Sequence, residues 1–149
     1  MEDREMEEIQ EKIIVYIDGS ESSWRAFDRA LNHARRSKGK LYAIYVVDAD
    51  FLSGISSSQR ADVERDLTRA GASILNEAER KASSIGIGLI KVLRKGSIQG
   101  EILKLASEIK ADYIYVAPKP KPSIVRRLLF GSLSDAIIKK APCPVVIVK

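Results

Sequence analysis

Apolar positions along this chain alternate between two rhythms. Short, nearly continuous apolar runs fall at residues 12–18, 41–47, 113–117 and 145–148, rich in Ile, Val and Tyr. Such β-branched and aromatic runs, bounded by turn residues, predict buried strands. A fifth run, at residues 87–94, alternates loosely and predicts a more exposed strand. Between the runs the period changes to that of a helix. Trp24, Phe27, Leu31 and Ala34 form one stripe, with Arg25, Arg29, Arg35 and Arg36 mostly off it. Ser20 or Ser22 is placed to cap that helix, and Gly39 follows its end. Val63, Leu67, Ala70, Ile74 and Ala78 form a second stripe, on a helix over residues 59–84 preceded by a loop over residues 48–58. Ile98, Ile102, Leu105 and Ile109 form a third, and Leu128, Leu129, Leu133, Ala136 and Ile137 a fourth.

Strands alternating with helices predict parallel β-α-β units joined by right-handed crossovers. Runs without clean in–out alternation fit strands covered on both faces. The expected architecture is therefore α/β: a doubly wound, three-layer sandwich around a five-stranded parallel sheet. In such sheets a ligand sits beyond the carboxyl ends of the strands, where the strand order reverses. With strand 1 central and strand 4 its neighbour across that point, the facing loops are residues 18–23 and 117–132.

Composition narrows the class. The 149 residues fit one domain, with residues 1–11 as an acidic extension and 12–149 as the folded unit. Hydrophobic residues at 45% and charged residues at 30% fit a soluble globular protein. No run approaches the length of a membrane span, the start lacks a signal-peptide core, and a cytoplasmic location is expected. The lone Cys143 excludes an internal disulfide and a Cys-based zinc site, and it reads as a small buried hydrophobe between Pro142 and Pro144. The only histidine, His33, has no metal-spaced partner and reads as exposed beside Asn32. Residues 1–12 hold six carboxylates against two bases, so the formal net charge of +5 leaves +9 on the remaining body. A basic body suits an anionic ligand, but no recognition motif or aromatic platform accompanies it, which argues against nucleic acid.

The loops hold the candidate chemistry. Strand 1 ends in Asp18-Gly19-Ser20, a good turn and cap sequence. Gly131-Ser132, followed by Leu133 and Ser134, is placed to start a helix whose first N–H groups would attract an anion, and it equally fits an ordinary serine cap. Neither a Gly-x4-Gly-Lys-(Ser/Thr) loop nor a Gly-x-Gly-x2-Gly fingerprint occurs, and no acid–base constellation points to an enzyme.

Ile13-Ile14-Val15 leading to Asp18-Gly19-Ser20, Ala111-Asp112-Tyr113-Ile114-Tyr115-Val116, Leu128-Leu129-Phe130-Gly131-Ser132-Leu133-Ser134 and Ala141-Pro142-Cys143-Pro144-Val145-Val146 occur in that order. Together they resemble the universal stress protein family over residues 12–149. The resemblance implies the adenine nucleotide alpha hydrolase-like fold, with strand order 3-2-1-4-5. It also implies a homodimer formed through the C-terminal strand, and a stress-response or signalling role with a possible protein partner. In nucleotide-binding members Asp18 would contact the adenosine side, Val46 would offer backbone to adenine with Ala117 flanking it, and Gly131, Ser132, Leu133 and Ser134 would lie near the phosphates. Such members bind ATP, with Mg2+ as a possible companion, through a Gly-x2-Gly-x9-Gly-(Ser/Thr) loop. Anchored on Gly131-Ser132, that pattern puts Pro118 and Lys121 where glycines would stand.

Glycines in such loops admit positive φ and let backbone N–H groups approach phosphate. Pro118 has no N–H and a fixed φ, and Pro120 and Pro122 stiffen the loop further. Lys119, Lys121, Arg126 and Arg127 could supply charge to an anion instead, or stand as solvated side chains on a rigid turn. The sequence thus predicts a module with weakened or lost ATP binding; the alternative is an ATP-binding protein with a remodelled loop, at most a slow ATPase.

Overall fold

A computed structural model describes residues 10–118 and 132–149. In chain order the elements are β1 (Lys12–Tyr16), α1 (Glu21–Ser37), β2 (Lys40–Asp48), α2 (Ala49–Ser53), α3 (Ser57–Ser83), β3 (Leu89–Gly96), α4 (Ile98–Ile109), β4 (Tyr113–Val116), α5 (Ser132–Lys140) and β5 (Val145–Ile147). All paired strands are parallel, in the order β3-β2-β1-β4-β5. The predicted sheet and its order are therefore present.

The pleat of β1 explains the layers. Ile13, Val15 and Ile17 face one side, and there they pack with Phe27, Ala30 and Ala34 of α1 and Leu75, Ala78 and Ala82 of α3. Ile14 and Tyr16 face the other side, against Ile102, Leu105 and Ala106 of α4 and Ile137 of α5. A strand buried on both faces has no polar side to spare, which is why its sequence runs apolar without a break. Full burial of each such side chain stabilises the fold by about 1.5–3 kcal/mol.

Local chemistry fixes the helix ends. The Ser20 hydroxyl caps α1 by accepting from the Ser23 N–H, and Ser97 caps α4 by accepting from the Gly100 N–H. α1 stops at Lys38, which takes the left-handed conformation (φ 56°) that glycine would ordinarily supply. Gly39 serves another purpose: a Cβ there would lie 2.9 Å from the Glu11 carbonyl oxygen, so its absence lets the chain entering β1 pass close by.

Some expectations change. The segment expected to be loop contains the short helix α2, capped by Asp48, whose Oδ1 accepts from the Asp50 N–H at 3.0 Å. The buried stripe of α3 passes through Gly71 rather than Ala70, which is exposed. Trp24 is only partly buried, edge-on to Phe27 and covered by the Lys81 ammonium 4.2 Å from its ring centre. His33 is not an exposed bystander: its side chain is 18% exposed, with Nδ1 2.7 Å from the Tyr115 hydroxyl and Nε2 3.2 Å from Glu11 Oε1. Tyr113 packs edge-on against its ring at 4.6 Å. Cys143 is half-buried rather than buried, packed against the α4–α5 core.

Candidate functional site

The chain switches direction between β1 and β4. β1 pairs with β2 on one side and β4 on the other, and the helices following β1 and β3 lie on opposite faces of the sheet. In sheets of this kind the carboxyl edge between β1 and β4 is where a ligand crevice forms. Because α5 leads from β4 back to the start of β5, its N-terminal end lies at the same edge.

The β1 wall is built from a turn that bonds itself. Asp18 Oδ1 accepts from the Ser20 N–H at 2.9 Å and from the Ser20 hydroxyl at 2.6 Å. The Asp18 N–H in turn donates to Ser23 Oγ at 3.3 Å, and that hydroxyl donates to the Ser20 carbonyl at 2.9 Å. Gly19 takes φ +87°, and a Cβ there would sit 2.8 Å from Ile74 Cδ1, so conformation and space both call for glycine. The turn holds the carboxylate at the end of the central strand.

Two phenols border this carboxylate, and sequence reasoning missed them. Tyr16 is buried on one face of the sheet and Tyr45 on the other. Burial, and secondarily the Asp18 charge, raises both phenols above their ordinary pKa. Both stay neutral across the physiological range and keep their O–H groups as donors. Tyr45 owes its position to Gly71: a Cβ at residue 71 would fall inside the ring's contact distance, so α3 can cover Tyr45 only with glycine there. The nearness of Tyr45 to Asp18 follows from the register of β2 against β1.

Val46 is buried on β2, leaving its backbone as what it can offer. Ala117 is buried directly after β4, and Pro118 is half-buried beyond it. On the α5 side, Leu133 packs partly into the core. Ser134 is completely buried, and its Oγ has no hydrogen-bond partner among the described residues. Buried hydroxyls are ordinarily bonded, so this one calls for an explanation. Ser132 begins α5. Lys119, Lys121, Arg126, Arg127 and Gly131 lie outside the described residues. Among the described residues no group of three or more His, Cys, Asp or Glu side chains is placed to hold a metal, and no helix is long and apolar enough to cross a membrane.

At the sheet margin β5 pairs with β4 alone among the described strands. Its three residues are half-buried apolar side chains.

Comparison with known proteins agrees with this architecture. The sequence matches the universal stress protein family over residues 10–149. A universal stress protein of Methanocaldococcus jannaschii is 31% identical over 147 residues, covering 98% of this chain and 86% of the relative. The structure of universal stress protein UspA from Lactobacillus plantarum matches 93% of this chain and 97% of its own with a TM-score of 0.82, a likeness of fold at 21% identity. A universal stress protein solved in complex with cAMP matches 93% of this chain and 96% of its own, with a TM-score of 0.69 and 26% identity. Sheet order, crevice and sequence agree: this chain belongs to the universal stress protein family.

Proposed function

We propose that this protein is a stress-response or signalling module whose crevice binds an adenine nucleotide, with its hold on a triphosphate weakened. The observation that carries this reading is Ser134, a fully buried hydroxyl with no partner among the described residues, near the start of α5 at the crevice edge. A buried polar group left unbonded is destabilising by about 1–3 kcal/mol, and a ligand that bonds it recovers that loss. A phosphate or ribose oxygen suits the hydroxyl, and a helix N-terminus favours an anion beside it. The complex of a relative with cAMP supports an adenine nucleotide as the ligand class.

In this reading Asp18 faces the adenosine side, Val46 and Ala117 frame the base, and Gly131, Ser132, Leu133 and Ser134 meet the phosphate nearest the sugar. Pro118 and Lys121 stand where nucleotide-binding relatives carry glycine: Pro118 removes a backbone donor from the outer phosphates, and Lys121 keeps its N–H but loses the positive φ that lets such a donor approach them. Lys119, Lys121, Arg126 and Arg127 supply charge without that fitted cradle. Any Mg2+ would be held largely by the phosphates themselves. Turnover is not part of the proposal.

We also propose that β5 pairs antiparallel with β5 of a second copy. An apolar edge strand is open to such pairing, and a two-fold axis closes both edges together.

The test is the melting temperature of purified protein with AMP, cAMP and Mg-ATP at millimolar concentration. Ligand at ten times its Kd stabilises by about 1.4 kcal/mol. AMP or cAMP is expected to raise the melting temperature more than ATP does. No shift with any of the three would overturn the binding reading.

A further inference from the structure

The far end of the sheet, away from the crevice, carries a second cleft, of about 460 Å3. It lies where α1 and α3 end and β2 begins. Its cations are Arg35, Lys38 and Lys40, its apolar wall is Ile85 and Ile87, and no carboxylate lines it among the described residues. Ile85 is 46% exposed, unusual for an isoleucine beside a well-packed core. Cations around an exposed apolar wall suit an acidic, amphipathic segment.

The chain supplies one at that spot. Gln10 lines the cleft, and its Nε2 donates to the Lys38 carbonyl at 2.8 Å. The Lys40 N–H donates to the Glu11 carbonyl at 2.7 Å, and Glu11 Oε1 lies 3.2 Å from His33. Residues 10 and 11 are thus fastened at the mouth of the cleft. The residues before them are Glu2, Asp3, Glu5, Glu7 and Glu8, against one Arg4, interspersed with Met6 and Ile9. Five carboxylates meet three cations, and two apolar side chains meet two isoleucines.

We propose that residues 2–9 dock in this basal cleft of their own chain, with carboxylates against Arg35, Lys38 and Lys40 and with Met6 and Ile9 against Ile85 and Ile87. Direct tethering through Gln10 gives the segment an effective concentration on the order of millimolar or more, so weak contacts suffice. Docking covers the exposed Ile85 and neutralises the basic rim. It also makes the cleft a surface that an acidic partner segment reaches only by displacing the chain's own.

The test places a nitroxide on Met6→Cys in a Cys143→Ser background and reads backbone amide signals. Docking predicts loss of the signals of residues 38–40 and 85–88, and their recovery on chemical reduction of the label. Arg35→Glu with Lys38→Glu is expected to restore them in the oxidised sample. Should that variant not fold, salt at 1 M, where the screening length falls to about 3 Å, is expected to do the same. Three results would overturn the proposal: no signal loss at either stretch, loss that survives both charge reversal and salt, or loss seen only when label and observed amide sit on different chains in a mixed sample. The last would assign the cleft to the segment of a second copy.

Discussion

The two walls of the crevice differ in how they satisfy their own polar groups. On the β1 side, Asp18, Ser20 and Ser23 bond one another and the intervening backbone. On the α5 side, Ser134 is buried with its hydroxyl unbonded among the described residues. The first wall is a bonded scaffold, whereas the second holds a group that a ligand would complete. Substitutions in the first should therefore lower stability, and those in the second should alter binding with little effect on stability.

The largest effect should come from Gly19→Ala. A side chain at φ +87° is strained, and the new methyl would press on Ile74, for a loss of about 2 kcal/mol in urea unfolding. Asp18→Ala should follow, at about 1–2 kcal/mol, because it deprives the Ser20 N–H and hydroxyl of their acceptor. If Asp18→Ala proved neutral, the first wall would not be the self-bonded scaffold described.

Ser134→Ala sharpens the contrast from the other side. Removing an unbonded buried hydroxyl should leave stability within about 0.5 kcal/mol of wild type, or raise it. The same variant should lose most of the nucleotide-induced rise in melting temperature. A marked destabilisation would mean the hydroxyl is already bonded.

The smallest effect concerns Cys143, which packs behind α5. Burial first, and the nearby Asp112 carboxylate second, raise its thiol above the ordinary cysteine value. Because the thiolate is the reactive form, alkylation at pH 8 should be slower than for a free thiol, with its pH midpoint shifted upward. A midpoint at or below the ordinary value would show that the region opens in solution.

The strand order was what the family resemblance implied, whereas the sheet was legible in the sequence because β1, β2 and β4 are apolar runs set by burial on both faces, a local signal. The Asp18 turn was legible for the same reason: its bonds span at most five residues. His33 was not legible. Its Tyr115 partner lies 82 positions away, while its neighbours Asn32, Arg35 and Arg36 read as a solvated surface. Nor was Gly71, since a glycine contributes nothing to an apolar stripe, and its role depends on the Tyr45 ring across the interface. Tyr16 lies two residues before Asp18 in the chain, whereas Tyr45 comes near it through strand register, which no local pattern carries. Ser134 was legible as a candidate anion contact, but not that its hydroxyl is buried and unbonded among the described residues.

The central claim is that the glycine replacements at the end of β4 weaken the hold on a triphosphate in a crevice that otherwise suits an adenine nucleotide. Melting with Mg-ATP, comparing wild type with the Pro118→Gly/Lys121→Gly double variant, tests it most directly. The account predicts a clear rise in melting temperature for the double variant and little or none for wild type, with both responding to AMP. An equal, large rise with ATP in both proteins would contradict it.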